Sequence, residues 1–179
     1  MRQTITALVI LACTVSLRAT TFIATDLNEL TRDAQTIARG RVVAVESRWS
    51  DDHQRIETLV TLAAENYLKG ALGDTVEFVV PGGRLGRFRS IVVGAPQFRT
   101  GDRLVVFLGA RPPSLPHVIG LNQGLFRLVQ ESDGWKVTPP PIVQSSPAAT
   151  RIVRGDLARR TMALDAFERQ VIALMRSER

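Results

Sequence analysis

A series of short apolar runs, each closed by a glycine or proline turn, limits this chain more than any other feature. Asp74 to Val80 alternates, with Val76, Phe78 and Val80 on one side and Glu77 on the other, before Pro81-Gly82-Gly83. That is the two-residue period of a half-buried strand with a firm stop. Leu104 to Leu108 is apolar at every position. Such a run needs cover on both faces and predicts a central strand. Leu125 to Val129, the Asp133-Gly134 turn, then Trp135 and Val137 predict a small hairpin. Ile91 to Val93 and Val118-Ile119 read as further short strands. They are set off by turns at Gly94-Ala95-Pro96 and Thr100-Gly101-Asp102 and by a proline loop from Pro112 to Pro116.

Two helices flank these strands. Asp26 with Glu29 three positions on forms a capping-box variant, and Leu27, Leu30, Ala34 and Ile37 then share a helical face. This predicts a helix over 27–38, stopped by Gly40. Near the end, Leu164, Phe167, Val171 and Leu174 share another face, with Arg160, Arg169 and Arg176 elsewhere. Arg41 to Trp49 predicts a strand with Val43, Val45 and Trp49 on one side. Ile56 to Lys69 fits two patterns: its later half has helix-forming composition, while Ile56, Val60, Leu62, Ala64 and Leu68 suit one face of a long strand. The element count makes the chain mainly β, a small closed or partly closed barrel or a sandwich.

The start of the chain reads as a targeting segment. Arg2 precedes thirteen uncharged residues, Ile5 to Leu17, and small Ala19 and Thr20 follow. A basic start, a short apolar stretch and a small cleavage position make a secretory signal peptide. The expected organisation is a signal peptide at 1–19, a β-rich domain with its leading helix at 20–141, a linker at 142–156 and the trailing helix at 157–179. Cleavage near Ala19 exports the protein to the periplasm or beyond. Processing as a lipoprotein at Cys13 is the less favoured alternative, because apolar Val15 and Leu17 would remain after it.

Cys13 is the single cysteine of the 179 residues, so the domain has no disulfide and must be stable by its core alone. Thiol chemistry leaves with it. Metal binding has little to draw on: His53 sits beside Asp51 and Asp52, and the other histidine, His117, lies in the proline loop. There is no Gly-x-Ser-x-Gly elbow. Asp51, Asp52, Glu57, Glu65 and Glu77 all fall on turns or outward faces, where a glycosidic carboxylate pair is not expected. Gly82 to Gly86 lacks the Lys-Ser/Thr and following helix of a phosphate loop, and the helices that flank an RNA-binding loop of similar spelling. It reads as a turn or bulge. No catalytic residue, cofactor or metal is expected, and the protein is not expected to be an enzyme.

Several stretches together resemble a family of secreted, uncharacterised bacterial proteins: GRVVAVESRW, TLVTLAAENYLKG, VEFVVPGG, GAPQFRTGDRLVVFL and VIGLNQGLFRL. Through element order these in turn resemble the netrin-type module of the tissue inhibitors of metalloproteinases. The resemblance covers roughly residues 26 to 130. It implies an OB-like barrel of five to six strands and favours the strand reading of 56–69. It also implies, as an outside reading, a protease-modulating protein. The inhibitors, however, place an N-terminal cysteine amine on the protease zinc and hold it with disulfides. No residue here matches that pattern, and a shared fold does not carry a function.

Charge supplies the one local candidate. The formal net charge is +6, and 21 of the 23 basic residues are arginine, a skew that composition bias alone can produce. Between residues 81 and 111, however, six arginines face a single acid, Asp102, a local balance of +5. Arg84, Arg87, Arg89, Arg99 and Arg103 are the candidate binding residues, with Phe88 and Phe98 among them. Guanidiniums beside aromatic rings suit anionic groups plus stacking. The expected function is that of an exported, non-enzymatic binding module acting through a macromolecular partner, a protein in the first instance. The alternative is a polyanion, nucleic acid or anionic polysaccharide, held by the arginine-rich face.

Overall fold

The computed structural model describes residues 25–111, 114–140 and 160–177, without the side chains of Arg111 and Ser114. The expected signal peptide, including Cys13 and Ala19, and the expected linker lie outside those residues. Asp26 caps the first helix as anticipated: its carboxylate accepts from the Glu29 amide at 2.7 Å, and the Glu29 carboxylate accepts from the Asp26 amide at 3.3 Å. Helix α1 spans Leu27–Asp33 and is shorter than predicted. Pairing ends it. The Gln35 amide donates to the Leu108 carbonyl at 2.9 Å, and Thr36 and Ile37 enter a ladder with another strand. Ala34 and Ile37 are buried as expected, but not as helix residues.

Strand β1 (Thr36–Trp49) forms a long antiparallel hairpin with β2 (Ile56–Lys69). The ambiguous stretch is therefore a strand throughout, because cross-strand partners override its local helix preference. In β1 the register shifts between Val42 and Ala44, so two residues oppose one. That bulge turns Val42 into the core and leaves Val43 exposed, while Val45 still packs inward. The expected placement of Val43 is thus reversed by one inserted residue.

Strand β3 (Thr75–Pro81) follows with Val76, Phe78 and Val80 buried and Glu77 exposed, as its alternation requires. Next come the short strands β4 (Gly83–Leu85) and β5 (Phe88–Ser90), then β6 (Arg103–Arg111) and β7 (Ser114–Val118). Pro116 is accommodated in β7 at an irregularity, since the pairing with β6 skips between Gly109 and Arg111. Strands β8 (Leu125–Glu131) and β9 (Gly134–Thr138) form the predicted hairpin across the Asp133-Gly134 turn. Strand β10 (Met162–Ala163) pairs with β9 and leads directly into helix α2 (Leu164–Ser177).

Five of these strands make a ring in the order β1-β2-β3-β7-β6, with β6 returning to β1. The parallel contact of β3 with β7, at Val79 and His117, completes it. The chain is mainly β, with the ring and the two helices that the sequence led us to expect. Strand β6 has β1 along one edge and shares the other between β7 and β8, so β8, β9 and β10 extend the sheet beyond the ring.

The both-faces reading of Leu104 to Leu108 has a direct structural meaning. Leu104, Val106 and Leu108 point into the ring with Val42, Val60, Leu62, Val76 and Phe78. Val105 and Phe107 point outward into a second core with Leu30, Ile37, Phe126, Phe167 and Val171. The two helices cover that second core. Phe167 lies 4.9 Å from the Phe126 ring and 6.4 Å from Phe107, centre to centre. Helix α2 therefore docks on the sheet through the face the sequence predicts, with Phe167 and Val171 buried. Among the described residues no helix is long and apolar enough to cross a membrane.

Candidate functional site

The Pro81-Gly82-Gly83 corner turns the chain from β3 into the β4–β5 hairpin. Gly83 sits where the hairpin crosses the far end of β1 and β2. A Cβ there would come within 2.6 Å of the Ser47 hydroxyl and 2.7 Å of the Thr58 hydroxyl. Those hydroxyls hold the crossing: Thr58 donates to the Gly82 carbonyl at 2.7 Å, and Ser47 accepts from the Arg84 amide at 3.1 Å. Register then fixes the side chains. Arg84 stands opposite Arg89, and Leu85 opposite Phe88, on alternate faces of the ribbon. The Phe88 ring meets Trp49 edge-on at 5.7 Å, and the Arg87 guanidinium lies 5.0 Å from the centre of the Phe88 ring.

Arg84, Arg87 and Arg89 are all exposed. Among the described residues none of the three is paired with a carboxylate. Two like charges directly opposite on a two-stranded ribbon repel each other and destabilise it. The segment that follows is not the strand predicted at Ile91 to Val93. It is an open loop with Ile91 72% and Val93 71% exposed, beside Phe88 at 47%. Exposed basic side chains on the hairpin are thus followed directly in sequence by exposed aliphatic ones.

The other expected site residues are placed differently. Arg103 is engaged twice: it pairs with Glu65 at 3.0 Å, and its guanidinium lies 5.1 Å from the centre of the Trp135 ring. It stands opposite Arg41, six residues along β1 from Ser47, which is roughly 20 Å of strand from the hairpin. Arg99 is exposed in the loop before β6, with its amide bonded to the Asp102 carboxylate at 3.0 Å. Phe98 is not available for stacking, because it packs edge-on against Phe78 in the ring core, 5.6 Å away. The five arginines therefore do not form one face. Of the five, Arg84, Arg87 and Arg89 share one hairpin.

Sequence reasoning missed two features. Arg127 pairs with Asp102 at 2.7 Å and also bonds the Gln97 carbonyl, which fixes the loop before β6. Near it an open groove of about 510 Å³ runs past Asp102, Arg103, Arg127, Gln130 and Trp135. Its arginines are already held by carboxylates, so it offers a weaker hold on an anion than the hairpin does. The second missed feature is the exposed aliphatic loop after β5.

The titratable groups displaced from their ordinary values lie elsewhere. Asp52 is lowered by the Ser50 hydroxyl and Asp133 by the Lys136 ammonium, which is itself raised. Asp165 is lowered by the Arg169 guanidinium. All are surface pairs or turn bonds. Among the described residues no three His, Cys, Asp or Glu side chains converge as a metal site. His53, at positive φ in the β1–β2 turn, is exposed with its ring nitrogen 3.2 Å from the Asp51 carbonyl.

No protein-family model matches this chain, and no curated protein matches it.

Proposed function

We propose that this protein is an exported, non-enzymatic binding module that engages a negatively charged macromolecular partner through the β4–β5 hairpin and the loop after it. The cross-strand pair Arg84 and Arg89, unneutralised by any described carboxylate, carries this reading. Held together, these charges repel; an anionic partner removes the cost and gains charge-assisted hydrogen bonds. Export rests on the basic start, the uncharged Ile5–Leu17 stretch and small Ala19. Kinship with the secreted bacterial proteins, and at greater distance with the netrin-type module, belongs to the same proposal.

The triple variant R84Q/R87Q/R89Q tests it. Folding should change by no more than about 0.5 kcal/mol per exposed site, and relief of the Arg84–Arg89 repulsion acts in the stabilising direction. Retention on a heparin column should fall, with the difference from wild type largest at low salt. Equal retention with a large loss of thermal stability would make these arginines structural. The salt dependence also separates the partner classes. A polyanion held only by charge loses affinity steeply and linearly on logarithmic axes, a partner that also buries apolar surface much less so.

A further inference from the structure

We infer that the partner of this hairpin is an anionic phospholipid bilayer, whose phosphates the arginines bind while Ile91 and Val93 enter the headgroup boundary. The inference rests on the binding-module reading above and names its ligand. Three observations lead to it. First, Ile91 and Val93 are consecutive-but-one aliphatic residues in a loop without strand pairing, 72% and 71% exposed. Isolated exposed aliphatics are ordinary, but here they directly follow a hairpin with three exposed arginines that no described carboxylate pairs. Second, a nucleic acid or polysaccharide would leave Ile91 and Val93 in water, whereas the edge of a bilayer removes them from it. Third, the charges are arranged for a surface. Arg84 and Arg89 stand side by side on the ribbon and Arg87 lies at its turn, so that adjacent lipid phosphates can be met at once.

The hairpin is also built to bear this role. The Ser47 and Thr58 hydroxyls hold its base to the end of the β1–β2 hairpin. The hairpin is thereby presented by a sheet and not by a free tail. Membrane contact of this kind is peripheral, with the apolar tip only shallowly immersed.

The experiment is sedimentation of the full chain with phosphatidylcholine vesicles, with and without a phosphatidylglycerol fraction. All variants keep the same N-terminal segment, so any difference between them arises at the hairpin. Wild type should bind in proportion to the phosphatidylglycerol content. R84Q/R87Q/R89Q should weaken that binding by roughly 100-fold, at about fivefold per arginine. The uncharged variant I91S/V93S should weaken it about tenfold while retention on heparin stays near the wild-type value.

Heparin retention that depends on the arginines, with vesicle binding absent or indifferent to Ile91 and Val93, overturns the lipid assignment and leaves the binding module standing. So does competition by soluble glycerophosphate alone, which would indicate a free anion site. If the arginine substitutions alter neither heparin nor vesicle binding, both readings fall.

Discussion

Truncation of the chain after Ala149 should leave a protein that unfolds at a much lower denaturant concentration or does not fold at all. The deletion takes away β10 and α2. With them go the buried Phe167 and Val171 and the partly buried Met162, Leu164, Leu174 and Met175. Removing Phe167 alone opens a void between Phe107 and Phe126, and Phe167→Ala should cost about 3–5 kcal/mol. The whole deletion should exceed that, against a total stability on the order of 5–15 kcal/mol for a domain of this kind. The remaining sheet would also expose the outer face of β6, where Val105 and Phe107 sit. Aggregation should accompany the loss.

An ion pair adds to the same interface. Arg39 on β1 donates through Nη1 to the Glu168 carboxylate on α2 at 3.0 Å, with both side chains largely buried, while the Arg39 Nε has no hydrogen-bond partner among the described residues. Glu168→Gln leaves the guanidinium uncompensated. It should cost about 1–2 kcal/mol, less than a fully buried pair because both groups keep some water. Urea denaturation of the truncated chain, F167A and E168Q against wild type gives the three values. An unchanged midpoint for the truncated chain would mean that α2 contributes nothing to the domain and is instead a tail for some partner.

The parts of this fold that were legible in the sequence are those encoded by nearest-neighbour alternation. Val76, Phe78 and Val80 announce β3, and the unbroken Leu104–Leu108 run announces a strand between two cores. The capping pair Asp26 and Glu29 locates the start of α1. What stayed hidden depends on distant partners. The parallel contact of Val79 with His117 that completes the ring has no local signal. Nor does the bulge that swaps Val42 for Val43, since a one-residue insertion shows only against the facing strand.

The site divides along the same line. Exposure of Arg84, Arg87 and Arg89 follows from charge with no acid nearby, and the structure agrees. The engagement of Arg103 does not follow, because Glu65 is 38 residues away in sequence and is brought alongside by the β1–β2 hairpin. Phe98 suits a stacking platform by sequence, but the fold packs it against Phe78. Ile91 to Val93 is the reverse case: an apolar triplet reads as strand core, and only the structure shows Ile91 and Val93 more than 70% exposed. Local pattern tells what a residue prefers, whereas a site is made by what the fold leaves unpaired.

Gly40→Ala should be the most damaging single-methyl change among the described glycines with ordinary backbone geometry. Gly40 was expected to stop a helix, but it lies inside β1 opposite Ala64 and Leu104. A Cβ at this position would overlap the Ala63 carbonyl oxygen and lie only 3.0 Å from the Ala63 carbonyl carbon and 3.0 Å from Leu62 Cγ. The obstacle is backbone that is itself held in the β1–β2 ladder, so it cannot swing aside as a surface side chain would. β1 also pairs with β6 at this level, and any shift is passed to both neighbours of the ring. The expected loss is about 3 kcal/mol, the upper end of ordinary overpacking, and more for Gly40→Val. Gly101→Ala is the comparison that isolates the cause. Gly101 has φ +96 and open space where its Cβ would go, so its penalty is backbone strain alone, on the order of 1–2 kcal/mol. Thermal unfolding of the two variants should therefore rank G40A well below G101A. The opposite order would mean that the β1–β2 hairpin yields easily at Gly40, and that the ring is held at its other seams.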